Sequence, residues 1–448
     1  MNKRWLSIIL VVFFIGVVSA GVALFVFPYD PINPPSVDDT GFTQEGVKEV
    51  VHANNLFSFD FYNELKDKEM YLEENLFFSP YSISTALVMT YEGAKEETAE
   101  EMKDVFYFLE SNILRPNSAA IYNQINNKDN AYTLRTGNAL WVQKDFELSK
   151  EYYNLVEKYY GGKVSNLDFQ NETEKSRLTI NDFISKQTNN RIDELIKKGD
   201  LNPTTRLVLT NAIYFLGDWK YQFDKDNTVD LEFHKTLDIS INVPMMYMSS
   251  KNMRDMKPDP ARFNYAEFEK FQMIQLPYKD NELSMVILLP RQGEDYNYDS
   301  PDYERINYQY TLDDIDFTFE KYTEYKSLMK ETNMDGIYLP KFEFKTSYNL
   351  KDILSDMGMP TAFSPSANFS GMREENDLMI DKVLHDAFIK VDEKGTEAAA
   401  ATAVIMVATS AAPTKQLIFK ADHPFIFLIE ENSTGNILFM GRVLDPSS

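Results

Sequence analysis

Cysteine is absent from the chain. Disulfides, thiolate metal sites and cysteine nucleophiles are therefore excluded. Histidine is scarce: only His52, His234, His385 and His423 occur. None sits in an H-E-x-x-H arrangement, so a zinc protease is not indicated. No G-x-S-x-G elbow is present. Gly161-Gly162-Lys163 is too short for a phosphate-binding loop and reads as a plain turn. Carboxylates are plentiful, but no pair stands out for acid–base work. An enzyme would need a site that the sequence does not display. Positive charge is also in deficit: 45 Lys and Arg face 69 Asp and Glu, a net charge of -24. So acidic a chain repels phosphate backbones, and no nucleic-acid partner is expected. No metal or cofactor is expected.

Apolar material is ample, at 44% of residues. Its longest run is at the start. Lys3 and Arg4 precede an uncharged stretch from Trp5 to Phe27. About 20 such residues cross a bilayer as a helix, and the leading positive charges favour keeping the N-terminus in the cytoplasm. Val18-Ser19-Ala20 offers a signal-peptidase site as the alternative. Residues 1–27 thus read as a signal-anchor or a cleaved signal peptide. Either one exports the body, which is membrane-anchored or secreted. Pro28, Pro31, Pro34 and Pro35 then make residues 28–42 an extended tether.

Residues 43–448 read as one domain with helices early and strands late, an α+β pattern with large, mainly antiparallel sheets. Residues 55–68 carry apolar residues at helical spacing. Ser79-Pro80 is an N-cap followed by a first-turn proline. The helix after it is apolar nearly all round, so burial is expected, with Gly93 as its end. Asn171 to Glu174 read as a capped start of a helix running to about Asn189. Strands are expected over 206–216, 271–277, 283–290, 388–393, 416–420, 425–430 and 437–443. Lys279-Asp280-Asn281 reads as a hairpin turn. The Tyr- and Asp-rich stretch 291–334 fits no period.

One segment resists its apparent class. From Thr396 to Ala412 nearly every side chain is small or apolar. Alanine favours helix, but Thr402, Val404, Ile405, Val407 and Thr409 are β-branched and favour strand. With a strand period of two, Thr396, Ala398, Ala400, Thr402, Val404 and Met406 share one face. The early part of that face is small enough to slide between neighbouring strands. The opposite face begins with Glu397, stays small to Ala403, then turns bulky. The segment is suited to be either an exposed loop or a central strand.

Glu393-Lys394-Gly395-Thr396-Glu397-Ala398-Ala399-Ala400, with Ala401, resembles the hinge of inhibitory serpins, the serine protease inhibitors. Phe77 to Ile83, Asn211 to Trp219, His423 to Phe427 and Phe439 to Val443 resemble further motifs of that family, in the right order, so the likeness covers about 54–446. It implies three sheets, eight or nine helices and an exposed reactive-centre loop at about 393–415. The resemblance implies a suicide mechanism. A protease attacks the loop, and the cleaved loop inserts as a strand and traps the acyl-enzyme; such loop insertion is a known case of strand addition. The family's loop length, counted from Gly395, implies a reactive bond at Thr409-Ser410, with Ala408-Thr409 as the alternative. A small residue before the bond suits a serine protease with a shallow specificity pocket, elastase-like or subtilisin-like, and argues against trypsin-like targets. Ser79, Ser82, Asn211 and His385 match the family's shutter under the main sheet. Trp219 matches the breach where insertion begins, or is ordinary core. Residues 96–130 lack the basic cluster of heparin-binding members, so no heparin response is expected. A monomer is expected. A non-inhibitory binding or chaperone-like member of the same fold is the competing reading. Asn171, Asn368 and Asn432 begin glycosylation sequons.

Overall fold

The computed structural model describes residues 36–257, 259–296, 305–396 and 415–448. Among the described residues no helix is long and apolar enough to cross a membrane. The apolar run 5–27 lies outside them.

The core sheet has seven strands, in the order Leu76–Phe78, Ile437–Val443, Phe425–Glu431, Leu283–Pro290, Phe271–Pro277, Phe263–Glu267 and Lys330–Thr332. Strands 283–290, 425–431 and 437–443 are buried at every position. Their sequences run apolar without alternation because both faces of the sheet are covered. Phe77 stacks on Phe439, with ring centroids 5.2 Å apart. Lys279–Asn281 closes the 271–277/283–290 hairpin as expected. Asp280 and Asn281 adopt positive φ there, which short polar side chains tolerate.

A second sheet crosses this core. Its order is Phe342–Asn349, Lys382–Val391, Gly395–Thr396, Leu207–Asp218, Ala139–Gln143 and Lys163–Leu167, with Tyr132–Thr136 pairing the far end of 207–218. A third, four-stranded sheet joins Ile418–Lys420, Gly336–Pro340, Ser240–Ser249 and Val229–His234. A separate two-stranded ribbon, Gln292–Tyr296 with Arg305–Gln309, lies in the stretch that showed no period. Nine α-helices are present among the described residues.

Helix Pro80–Tyr91 is capped by Ser79, whose hydroxyl accepts from the Ser82 N–H. It is buried on nearly every side, as its composition predicts. It ends at Tyr91. Gly93 follows because a Cβ there would run into the Met372 side chain. Helix Thr173–Gln187 lacks the expected cap. Asn171 turns instead to the Asp168 carboxylate, and the Thr173 hydroxyl donates to the Phe169 carbonyl. Helix Gln44–Lys66 starts earlier than its apolar spacing suggests, capped by Thr43. Val37 and Asp38 already lie on the body. The Val37 N–H donates to Asn123 Oδ1 (3.0 Å), and the Asp38 N–H to the Lys158 carbonyl (2.7 Å).

Candidate functional site: a strand pair that opens at one end

The second sheet contains a parallel pair. Strand 382–391 runs parallel to strand 207–218, in register from Lys382↔Val208 to Phe388↔Tyr214. Beyond Phe388 the two strands part, and Gly395–Thr396 fills the gap. Thr396 pairs antiparallel with Val391 on one side and Gly217 on the other, and Gly395 pairs with Asp218. The chain reaches this gap through a tight turn. Strand 382–391 ends at Val391, two residues before the expected Glu393. The Asp392 N–H donates to the Gly395 carbonyl (2.8 Å), and the Gly395 N–H donates back to Asp392 (3.2 Å).

Gly395 is required by contact as well as by angle. Its φ is +156°, and an added Cβ would lie 2.0 Å from the Gly217 carbonyl oxygen. Thr396 points into the core, where its hydroxyl meets Tyr278 Oη at 3.0 Å. Burial raises the Tyr278 pKa well above the phenol range, so the phenol is neutral. Tyr278 stacks on Trp219 with centroids 4.5 Å apart. Trp219 binds the turn twice: its indole N–H donates to the Asp392 carbonyl (2.9 Å), and its backbone N–H to Lys394 (2.6 Å).

Glu393 anchors the turn. Its side chain is 1% exposed and lies 2.9 Å from Lys341 Nζ. The Thr228 hydroxyl donates to it at 2.8 Å. Burial pushes its carboxyl up, but the Lys341 and Thr228 hydrogen bonds outweigh this and hold it below the usual carboxylate range.

Below this open end, a polar network lies under the closed part of the pair. His385 and Asn211 face each other across the two strands. His385 Nδ1 binds Asn211 Oδ1, so Nδ1 carries the proton. Nε2 then accepts from the Ser79 N–H at 3.2 Å. The Ser79 hydroxyl donates to the Leu438 carbonyl of the core sheet (2.6 Å). The Asn211 amide donates to the Ser82 carbonyl (2.8 Å) and to Asn138 Oδ1, which also accepts from the Ser82 hydroxyl (3.1 Å). His385 is fully buried, and burial pushes its pKa down to about 3, so the ring is neutral.

The four residues matched to a shutter therefore meet, and Trp219 lies at the turn. Glu397, Ala398, Ala399, Ala400, Ala401, Ala408, Thr409 and Ser410 lie outside the described residues. The sequence reading missed Asn138, Thr228, Tyr278 and Lys341. Lys341 is 52 residues from Glu393 and Asn138 is 73 from Asn211. Only tertiary structure joins them.

A core sheet crossed by a second sheet, with a loop rooted between its central strands, is the serpin arrangement, and the chain belongs to the serpin family. The family model "Serpin (serine protease inhibitor)" matches residues 52–446. The chain is 39% identical to an "uncharacterized serpin-like protein" of Methanosarcina acetivorans, over 94% of this chain and 92% of that one. It is 37% identical to the leukocyte elastase inhibitor of Xenopus laevis, covering 87% of this chain and 97% of that protein. Among solved structures, uncleaved ovalbumin superposes with a TM-score of 0.73 at 28% identity, covering 89% of this chain and all of that one.

Proposed function

We propose that this serpin inhibits a serine endopeptidase as a suicide substrate, with no enzymatic activity of its own. The observation that carries the reading is the strand Gly395–Thr396, already seated between strands 382–391 and 207–218. Its register extends down the gap. Gly395 opposes Asp218, so each residue opposes the one that brings the sum to 613. On insertion Thr402 would face Asn211, and Met406 would face Leu207, the first residue of that strand. The small side chains Ala398, Ala400 and Thr402 would then follow Thr396 into the core. Insertion replaces one parallel pair by two antiparallel ones, which are the stronger kind. The uncleaved form is therefore held by a kinetic barrier.

In this reading Glu393 to Ala401 are the hinge and Thr409-Ser410 the reactive bond, with Ala408-Thr409 the alternative. Trp219 marks the breach where insertion starts. Ser79, Ser82, Asn211 and His385 form the shutter, which bridges the pair that must part. The small residue at 409 directs the inhibitor to proteases with shallow pockets, and the elastase-inhibitor name of a relative points the same way. The leader 1–27 and a shorter tether, which starts at Pro28 and ends before Val37, place a monomeric body outside the cytoplasm, anchored or released. No cofactor takes part.

The test is incubation with elastase- and subtilisin-type proteases, followed by denaturing electrophoresis. A covalent complex that survives is expected, with thermal stabilisation of the cleaved chain. Loop cleavage that yields neither, across the panel, would refute inhibition and leave the binding-protein reading.

A further inference from the structure

The ribbon of Gln292–Tyr296 and Arg305–Gln309 takes no part in the hinge or the strand gap. An isolated two-stranded ribbon is marginal in water. None of its described side chains joins a core cluster, although Ile306 and Tyr308 are apolar or aromatic and alternate along one face. On the opposite face Glu294, Arg305, Asn307 and Gln309 are exposed. A tyrosine outside the core, such as Tyr308, is the residue type that a contact surface uses.

Its position suggests the partner. Lys415 is the first described residue after the loop. Its Nζ lies 2.9 Å from Glu267 Oε2. The other Glu267 oxygen lies 3.1 Å from Arg291, at the base of the ribbon. The Arg291 guanidinium lies 3.7 Å over the Tyr308 ring. One carboxylate thus ties the C-terminal stem of the loop to the ribbon. A protease–inhibitor interface covers about 800 Å² per partner, a disc of roughly 16 Å radius. A protease seated on the loop would extend over structure this close to its stem. The net charge of -24 also steers a basic partner toward the chain.

We propose that the ribbon is a second docking surface for the protease that attacks the loop, contacting a basic rim on the far side of its cleft. This rests on the inhibitor reading above. The probe is the tightest-binding protease of the panel, with its catalytic serine changed to alanine so that binding stops before cleavage. One variant replaces residues 293–308 by two glycines, since Gln292 and Gln309 are paired and a two-residue turn bridges them. A second keeps the ribbon and carries Glu294→Lys with Asn307→Lys.

Both variants are expected to weaken Kd about tenfold or more at low salt, with the gap narrowing at 1 M salt. With the active protease, the association rate should fall in step, while the stoichiometry of inhibition stays as in wild type. Unchanged Kd and rate in both variants would overturn the proposal. So would a dimeric wild type that becomes monomeric on ribbon removal, since the surface would then serve a second copy. If wild type forms no covalent complex, the inhibitor reading fails, while the Kd ratio still decides the ribbon.

Discussion

The open end and the closed middle of the 382–391/207–218 pair are built from opposite materials. At the Gly395 end a glycine, a threonine and an aromatic stack lie between the strands, Trp219 and Glu393 hold only the turn, and the strands are already parted. Around His385 the contacts are a buried network of hydrogen bonds, and the strands are closed. Separation at the Gly395 end needs little further change. Separation at the His385 end breaks several buried hydrogen bonds together, each costing on the order of 1–3 kcal/mol if left unsatisfied. A sheet with one easy end and one guarded middle opens in a set direction.

Breaking the easy end should have the largest effect. Thr396→Arg would bury a charge against Tyr278, and an unpaired buried charge costs several kcal/mol. The expected result is cleavage by the target protease without a covalent complex, and no gain in melting temperature of the cleaved chain. Gly395→Ala comes next. Its Cβ would meet the Gly217 carbonyl, and overpacking of this kind costs about 1–3 kcal/mol. The turn should leave the gap and uncover Trp219, read as a red shift in tryptophan emission. Retained wild-type emission would show that the strand ends tolerate the clash.

Loosening the guarded middle should have a smaller effect. Asn211→Ala removes the partner of His385 Nδ1 and donors to Ser82 and Asn138. A loss of about 1–3 kcal/mol is expected, read as a fall of several degrees in the melting temperature of the uncleaved form. The cleaved form, with Thr402 beside position 211, should fall less. An equal fall in both would place the network outside the opening step.

The smallest effect is that of a single pH unit. The His385 pKa is depressed in the fold to about 3, against an ordinary value near 6.5 when unfolded. Above pH ~6.5 the ring is neutral in both states and contributes no pH dependence. As pH falls from there towards 3, the unfolded chain gains a proton that the fold refuses, and stability drops by at most about 1.4 kcal/mol per pH unit. His385→Gln should flatten this part of the unfolding profile of the uncleaved form. An unchanged slope would show that another group titrates there.

These contrasts also explain what the sequence made readable. The hinge motif was legible because nine adjacent residues, Glu393 to Ala401, carry the family resemblance, and of these the structure shows Gly395 and Thr396 seated between two strands. The fold class was legible from helices placed before buried, β-branched runs. The network under the sheet was legible only through family resemblance, because Ser79, Asn211 and His385 come from three distant segments. Asn138, Thr228 and Lys341 carry no local signal at all. Glu393 was read into a strand because Phe388, Ile389 and Val391 favour strand and no glycine or proline stops the run before it. The Asp392–Gly395 hydrogen bonds, which end the strand, depend on Trp219 holding the turn. The ribbon was not legible because its one alternation, Ile306 and Tyr308 in Arg305–Gln309, is short and covers no core.

The length of strand 207–218 has a mechanical consequence. In the proposed inserted form its 12 residues would be opposed in turn by residues 395 to 406. At about 3.3 Å per residue, the strand sets a stroke of roughly 40 Å. A cargo linked to the loop just past Met406 would travel the whole face of the molecule. Each added rung makes the return less favourable, so the sheet would act as a ratchet whose throw is fixed by one strand.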